Sequence, residues 1–246
     1  MEIELWQLAI YFFVVALVYS SAGFGGGSSY LAILALSAIP FIEMRMLALL
    51  CNIAVVTGSV YLTWRSDLLD LRRAIPLVLL SIPCAYVAGT IPIEERVFIV
   101  ILGVTLIVAG VLMLIPRFTI DDRPQFLQSN LFNALLGGSI GFLSGMVGIG
   151  GGIFLSPILY LTGWDCAKVI AATTAFFILV NSMAGLAGQV YTHGWSLNIT
   201  HVIVLIVAVI LGGQIGIRLT INRLSPIMVK RVAAILILIV AVRLLT

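Results

Sequence analysis

Charge is what this sequence has least of. Among 246 residues, Asp, Glu, Lys and Arg together make up 9%, against about 25% in an ordinary soluble domain. So few charges cannot cover the surface of a water-soluble protein of this size. Polar stretches are also short, with none exceeding about fifteen residues, so the chain offers no separate soluble domain. Cysteine is scarce: Cys51, Cys84 and Cys166 form no CxxC pair and are odd in number, which argues against a disulfide framework or a zinc site. They read as small buried hydrophobes. Catalytic signatures are missing too. There is no HExxH, no GxSxG, no pair of membrane aspartates and no histidine cluster, so nothing would activate a nucleophile or hold a metal. No cofactor is implied. The net charge of +3 is too small and too dispersed for nucleic acid. The acidic start Met1-Glu2-Ile3-Glu4 is unlike the basic beginning of a cleaved signal peptide.

What is present is apolar. Hydrophobic residues reach 62% and mean hydropathy is +1.22. The expected class is an all-α polytopic membrane protein, with the lipid bilayer as its main solvent. Stretches long enough to cross a bilayer fall near 46–64, 74–92, 96–115, 168–190, 198–217 and 229–246. Two further stretches, 5–39 and 129–162, are too long for one span, at roughly 50 Å as continuous helix. Each is interrupted by glycines, Gly23-Phe24-Gly25-Gly26-Gly27-Ser28-Ser29 in the first and Gly148-Ile149-Gly150-Gly151-Gly152-Ile153 in the second. Adjacent glycines are poor helix, each costing about 1 kcal/mol relative to alanine. Each stretch therefore reads as two helical pieces joined by unwound backbone.

The glycine clusters expose an internal repeat. A shift of 125 superposes them, and seven of the fourteen positions in 23–36 match those in 148–161. Ala85-xxx-Gly89 and Gly212-xxx-Gly216 form similar small-residue stripes. The polar segment around Asp121-Asp122-Arg123-Pro124 is the natural linker. The expected organisation is one transmembrane domain with repeat 1 at about 1–116, a linker at 117–128 and repeat 2 at about 129–246.

Charge placement decides how the repeats are related. If each long stretch crosses once, giving a 4+4 arrangement, the basic residues show no bias between faces. Arg65, Arg72, Arg73, Arg117, Arg123 and Arg243 then oppose Arg45, Arg96, Lys168, Arg218, Arg223, Lys230 and Arg231. If each long stretch goes in and returns, as two short spans or a re-entrant hairpin, only Arg45, Arg96 and Arg243 lie on one face and the other ten on the opposite face. The positive-inside rule prefers the second. The expected fold is therefore two inverted repeats of about five helical segments, the first long segment of each half broken at its Gly-rich motif. Both termini are then expected outside the cytoplasm, in the plasma (inner) membrane.

Unwound backbone inside a membrane is tolerated only against protein or a wet cavity. The helix that restarts after each break presents free N–H groups and the positive end of its dipole, which suits an anion without any charged side chain. Gly25, Gly26, Gly27, Ser28 and Ser29, with Gly150, Gly151 and Gly152, are therefore candidate ligands of a small anionic substrate near the midplane. Asn52 and Asn181 join them as uncharged donors within spans. Thr57, Ser59, Thr173, Thr174, Ser182, Gln189 and Gln214 are similar, and Ser21 and Ser144 flank the breaks. The plainer alternatives are close helix packing for the glycines, which Gly137, Gly141 and Gly145 fit well, and helix–helix hydrogen bonds for the amides and hydroxyls. A bulky side chain at Gly26 or Gly151 is expected to block the backbone approach of an anion. Glu43 and Arg45 read as a pair in a short outer loop, and His193 and His201 as interfacial residues. A coupling ion, proton or sodium, and an oligomeric state are not legible.

The two motifs, Ala22-Gly23-Phe24-Gly25-Gly26-Gly27 and Gly145-Met146-Val147-Gly148-Ile149-Gly150-Gly151-Gly152, together with the length and duplication, resemble the sulfite exporter TauE/SafE family of membrane transporters. The resemblance implies transport of a small sulfur-containing anion such as sulfite, thiosulfate or an organosulfonate such as sulfoacetate. An anion channel and a non-transport scaffold or assembly factor are the competing expectations.

Overall fold

A computed structural model describes residues 4–20, 24–35, 37, 39–114, 129–222, 234, 235, 238 and 242. The linker 117–128, most of the last span 229–246, Ser21 and Gly23 lie outside the described residues. Nine helices are described: α1 (Leu5–Ser20), α2 (Gly27–Leu34), α3 (Phe41–Arg65), α4 (Leu71–Thr90), α5 (Glu95–Leu114), α6 (Asn130–Val147), α7 (Gly152–Leu161), α8 (Ala167–His193) and α9 (Ile199–Asn222). Six of them, α3, α4, α5, α6, α8 and α9, are long and apolar enough to cross a membrane. Their outward faces carry bare apolar side chains such as Leu79, Val100, Leu131, Ile203 and Val207. Trp6, Trp64 and Trp195 lie at or beside helix ends, where amphipathic aromatics suit a membrane interface.

The two overlong stretches turn back on themselves. The rings of Phe12 and Tyr30 stack with centroids 4.5 Å apart. A continuous helix would separate these residues by about 27 Å. In the second stretch a methyl on Gly151 would lie 3.1 Å from both Ile140 Cγ2 and Ser144 Cβ. Helices α2 and α7 have 8 and 10 residues, about 12 and 15 Å, too short to cross the roughly 30 Å hydrocarbon layer.

Packing pairs repeat when the halves are exchanged. Helix α1 packs on α9, as α6 packs on α4; α3 packs on α9, as α8 packs on α4; α2 packs on α3, as α7 packs on α8. Helices α3 and α8 pack on each other and are the most buried of the long helices. Small residues set several of these contacts. Methyls on Gly137, Gly141 and Gly145 would strike the Leu77, Ser81 and Ala85 carbonyls of α4, and methyls on Gly212 and Gly216 the Phe13 and Leu17 carbonyls of α1. The close-packing reading of these glycines is therefore the right one.

Several sequence expectations need correction. Glu43 and Arg45 are not a loop pair: α3 begins at Phe41, and both side chains are buried in its first turns with different partners. Pro40 as N-cap starts this helix five residues before the apolar run does. Cys166 is exposed rather than buried, at the start of α8.

Candidate functional site

The site begins where the two broken stretches restart. Gly26 is the N-cap of α2 with φ +89°, and Gly151 the N-cap of α7 with φ +78°. Left-handed backbone at both positions is costly for any residue with a Cβ. This geometry turns α2 and α7 inward. The first backbone-bonded N–H of α2 belongs to Tyr30, bonded to the Gly26 carbonyl. In α7, Phe154 and Leu155 bond the Gly151 carbonyl. The N–H groups before them form the positive helix ends.

Both breaks converge on α3 and α8. A methyl on Gly25 would overlap Asn52 Oδ1, and one on Gly27 would overlap Asn52 Nδ2. A methyl on Gly150, from the other half, would lie 2.7 Å from Ser182 Oγ, 2.8 Å from Ile178 Cγ2 and 3.0 Å from Asn52 Nδ2. A methyl on Gly25 would also lie 3.3 Å from Ile178 Cγ2. Asn52 and Ile178 thus stand side by side between the two breaks. They are 126 residues apart, as are the first residues of α3 and α8, and each takes the same place against its own break.

Polar atoms gather here without partners. Asn52 is fully buried, and neither Oδ1 nor Nδ2 makes a hydrogen bond among the described residues. Ser182 Oγ, Thr174 Oγ1 and Ser144 Oγ are likewise buried and unbonded, whereas Ser28 lies against the Tyr19 hydroxyl. Thr174 approaches Gly152, and Ser144 approaches Gly151. Each such group costs about 1–3 kcal/mol when left unsatisfied. Of these groups, the Asn52 amide and the Ser182 hydroxyl approach the glycine breaks directly, where buried polar groups would ordinarily find a partner. The chemistry on offer is neutral: amide, hydroxyl and helix N–H donors, with no carboxylate among the residues named here.

The candidate residues do not all converge. Gly25, Gly27, Gly150 and Asn52 meet directly. Gly26 and Gly151 shape the turns, their own neighbours being Tyr30 and Val15, and Phe177 and Ile140. Gly152 faces Ile178 and Thr174. Ser29 donates to Tyr19 Oη at 2.8 Å. Asn181 faces α4, its Nδ2 donating to Ser81 Oγ at 3.0 Å and to the Phe177 carbonyl at 2.8 Å. The sequence reading missed Ile178, since an isoleucine in an apolar span carries no signal of its own.

Comparison with known proteins places the sequence in a family. The family model described as sulfite exporter TauE/SafE matches residues 8–244. A probable membrane transporter protein of Sinorhizobium fredii is 32% identical over 253 aligned positions, covering 100% of both chains. A probable membrane transporter protein of Methanocaldococcus jannaschii is 26% identical over 167 positions, covering 63% of this chain and 61% of the relative. No solved structure matches. The chain belongs to the sulfite exporter TauE/SafE family of membrane transporters.

Proposed function

We propose that this chain is a secondary carrier that moves a small anion across the plasma membrane by alternating access, with a sulfur oxyanion or organosulfonate as its substrate. The observation that carries this reading is the convergence of both glycine breaks on the unbonded Asn52 amide and Ser182 hydroxyl. Oxyanions need donors, and these donors come without a permanent charge that would hold the anion too tightly to release it.

The orientation of α3 against α8 supports an inverted repeat. Gly148 lies beside Arg45 and Gln189, Gly185 beside Leu49, and Gly150 beside Asn52 and Ser182. Numbering thus rises along α3 as it falls along α8, so the two equivalent helices are antiparallel. An axis lying in the membrane plane produces that relation, whereas one along the membrane normal keeps equivalent helices parallel. The fold-back of α2 on α1 and of α7 on α6 supports the arrangement with ten basic residues on one face and both termini outside the cytoplasm. A C-terminal reporter found in the cytoplasm would sink that topology.

The function is tested by flux in proteoliposomes, with a panel of sulfite, thiosulfate, sulfoacetate and sulfate, with and without pH and sodium gradients. Saturable exchange of at least one sulfur anion is the expected result, and the gradients identify the coupling ion. Large unitary conductance would make the protein a channel, and no flux of any anion would favour a scaffold.

A further inference from the structure

Arg45 is a charged residue inside the protein with no charged partner among the described residues. It is 2% exposed. Among the described residues the ion pairs are Arg73–Asp165 and Glu43–His201, and neither involves it. Its Nη2 donates to the Met146 carbonyl at 2.7 Å and more weakly to the Gly145 carbonyl at 3.5 Å, at the C-terminal end of α6. The guanidinium carbon lies 5.6 and 5.8 Å from the Phe41 and Phe98 ring centroids. Its Nε has no partner. Beside it, Gln189 of α8 is 1% exposed and its Nε2 is also unbonded. Both flank Gly148, since a methyl there would lie 3.7 Å from Arg45 Cβ and from Gln189 Nε2. The nearby Glu43 carboxylate is turned away, accepting from the Asn198 N–H at 3.1 Å and pairing with His201 Nδ1 at 3.0 Å.

We infer that Arg45 and Gln189 form a second anion-binding station, between the central site and the face that carries residues 194–198. The inference rests on the anion-carrier reading above and extends it to a site no comparison assigns. Position supports it. Arg45 precedes Asn52 by seven residues on α3, and Gln189 follows Ser182 by seven on α8. Both pairs therefore sit two turns apart, about 10 Å, along the same antiparallel helices. Chemistry supports it as well. A guanidinium without a counterion inside a membrane protein is expensive, and a free guanidinium N–H and a free amide N–H on the two helices that flank Gly148 are both donors that suit an oxyanion. Helix-end carbonyls satisfy only part of its five donors. The station exists on one side only. At the shift of 126, Arg45 corresponds to Ala171 and Gln189 to Thr63, whose hydroxyl already donates to the Ser59 carbonyl at 2.8 Å.

The test is thiosulfate and sulfite exchange in right-side-out and inside-out vesicles for wild type, R45K, R45Q and Q189L. R45Q is expected to raise the apparent KM about ten-fold or more when the anion is presented from the 194–198 face, and by less than three-fold from the opposite face. R45K is expected to recover most of the loss, because a cation remains. A merely structural arginine would lower the amount of folded protein without a one-sided KM change. Where R45Q fails to fold, Q189L, which leaves the α6 contact intact, is expected to show the same one-sided rise, of about three-fold. If wild type exchanges neither anion, the carrier reading falls and this station with it. If wild type exchanges them and neither R45Q nor Q189L changes KM on one face alone, only the station is overturned.

Discussion

A single methyl at Gly27 separates the binding role of the glycine break from its folding role. Gly27 is the first residue of α2 and its φ is not in the left-handed region, so alanine fits the backbone. Helix propensity alone would make Gly27→Ala stabilising by up to about 1 kcal/mol. The added methyl, however, overlaps Asn52 Nδ2, and overpacking a buried site costs about 1–3 kcal/mol. The net effect on stability is therefore small, between neutral and about 2 kcal/mol of loss. Its effect on the site is larger, because Asn52 must swing away from the helix end it faces. Apparent KM for the transported anion is expected to rise by about ten-fold, equivalent to ~1.4 kcal/mol. The check is a double-mutant cycle with Asn52→Ala, measured by thermal stability in detergent and by exchange flux. The shortened side chain leaves room for the methyl, so on the Asn52→Ala background Gly27→Ala should leave flux unchanged and stabilise by up to about 1 kcal/mol, a coupling of about 1–3 kcal/mol in stability. A Gly27→Ala protein with wild-type KM, or losses that simply add in the double variant, would refute the placement of Asn52 at the break. Leucine at Gly26 or Gly151 is a poorer test than the sequence implies. With φ at +89° and +78°, any side chain there strains the turn whether or not an anion binds.

Three further outcomes follow from the packing and the loops. Gly141→Ala places a methyl 2.5 Å from the Ser81 carbonyl and 2.7 Å from Ser81 Cα; backbone cannot step aside, so folded yield should collapse, and normal yield by fluorescence size-exclusion would contradict the α4–α6 contact. Ile178→Ala removes the apolar wall opposite Asn52, so the ratio of sulfoacetate to sulfite exchange should fall several-fold; an unchanged ratio would remove Ile178 from the site. Asp165, in the loop before α8, is raised by burial but more strongly lowered by the Cys166 N–H and the Arg73 guanidinium, so its carboxyl sits below its usual value. The folded carboxyl is the stronger acid, so its contribution is present above the unfolded pKa and is lost as pH falls through the folded one. The pair is partly exposed, so Asp165→Asn should cost no more than about 1 kcal/mol at neutral pH, and the gap to wild type in thermal stability should close below the ordinary carboxylate range; a gap that persists there would contradict the pairing.

The broken helices were legible because three adjacent glycines have few uses inside a membrane, and because the pattern occurs twice. The small-residue stripes at Gly137, Gly141 and Gly145 were legible for the same reason, as spacing by four aligns them on one helix face. Arg45 was misread because apolar content sets span limits in sequence, while the actual helix starts at Phe41 behind Pro40. Charged residues in a first turn look like loop until packing buries them. Asn181 and Asn52 looked alike, each an amide inside an apolar run; only their rotational positions, facing α4 in one case and the breaks in the other, tell them apart. Ile178 had no signal because its role comes from position opposite Asn52, a relation that spans the two halves.

That relation explains why a duplicated scaffold can carry unequal contents. Exchange of the halves preserves the packing pairs, the φ of Gly26 and Gly151, and the short α2 and α7. In the alternating-access carrier proposed above, rocking one half against the other would use these features in both halves. The side chains reaching the centre are free of that constraint. Asn52 faces Ile178, Arg45 has Ala171 as its counterpart, and Gln189 has Thr63. An anion moving along α3 and α8 would therefore meet donors of increasing strength toward the 194–198 face: a neutral amide and hydroxyl first, then a guanidinium. If both faces carried such an arginine, the anion would be trapped equally on either side. With one, the proposed carrier would differ in affinity between its two directions while the moving parts stay alike. Restoring the symmetry with Ala171→Arg is therefore expected to lower the KM on the opposite face, bringing the two faces closer together. Unchanged KM on that face would show that the affinity difference does not arise from Arg45.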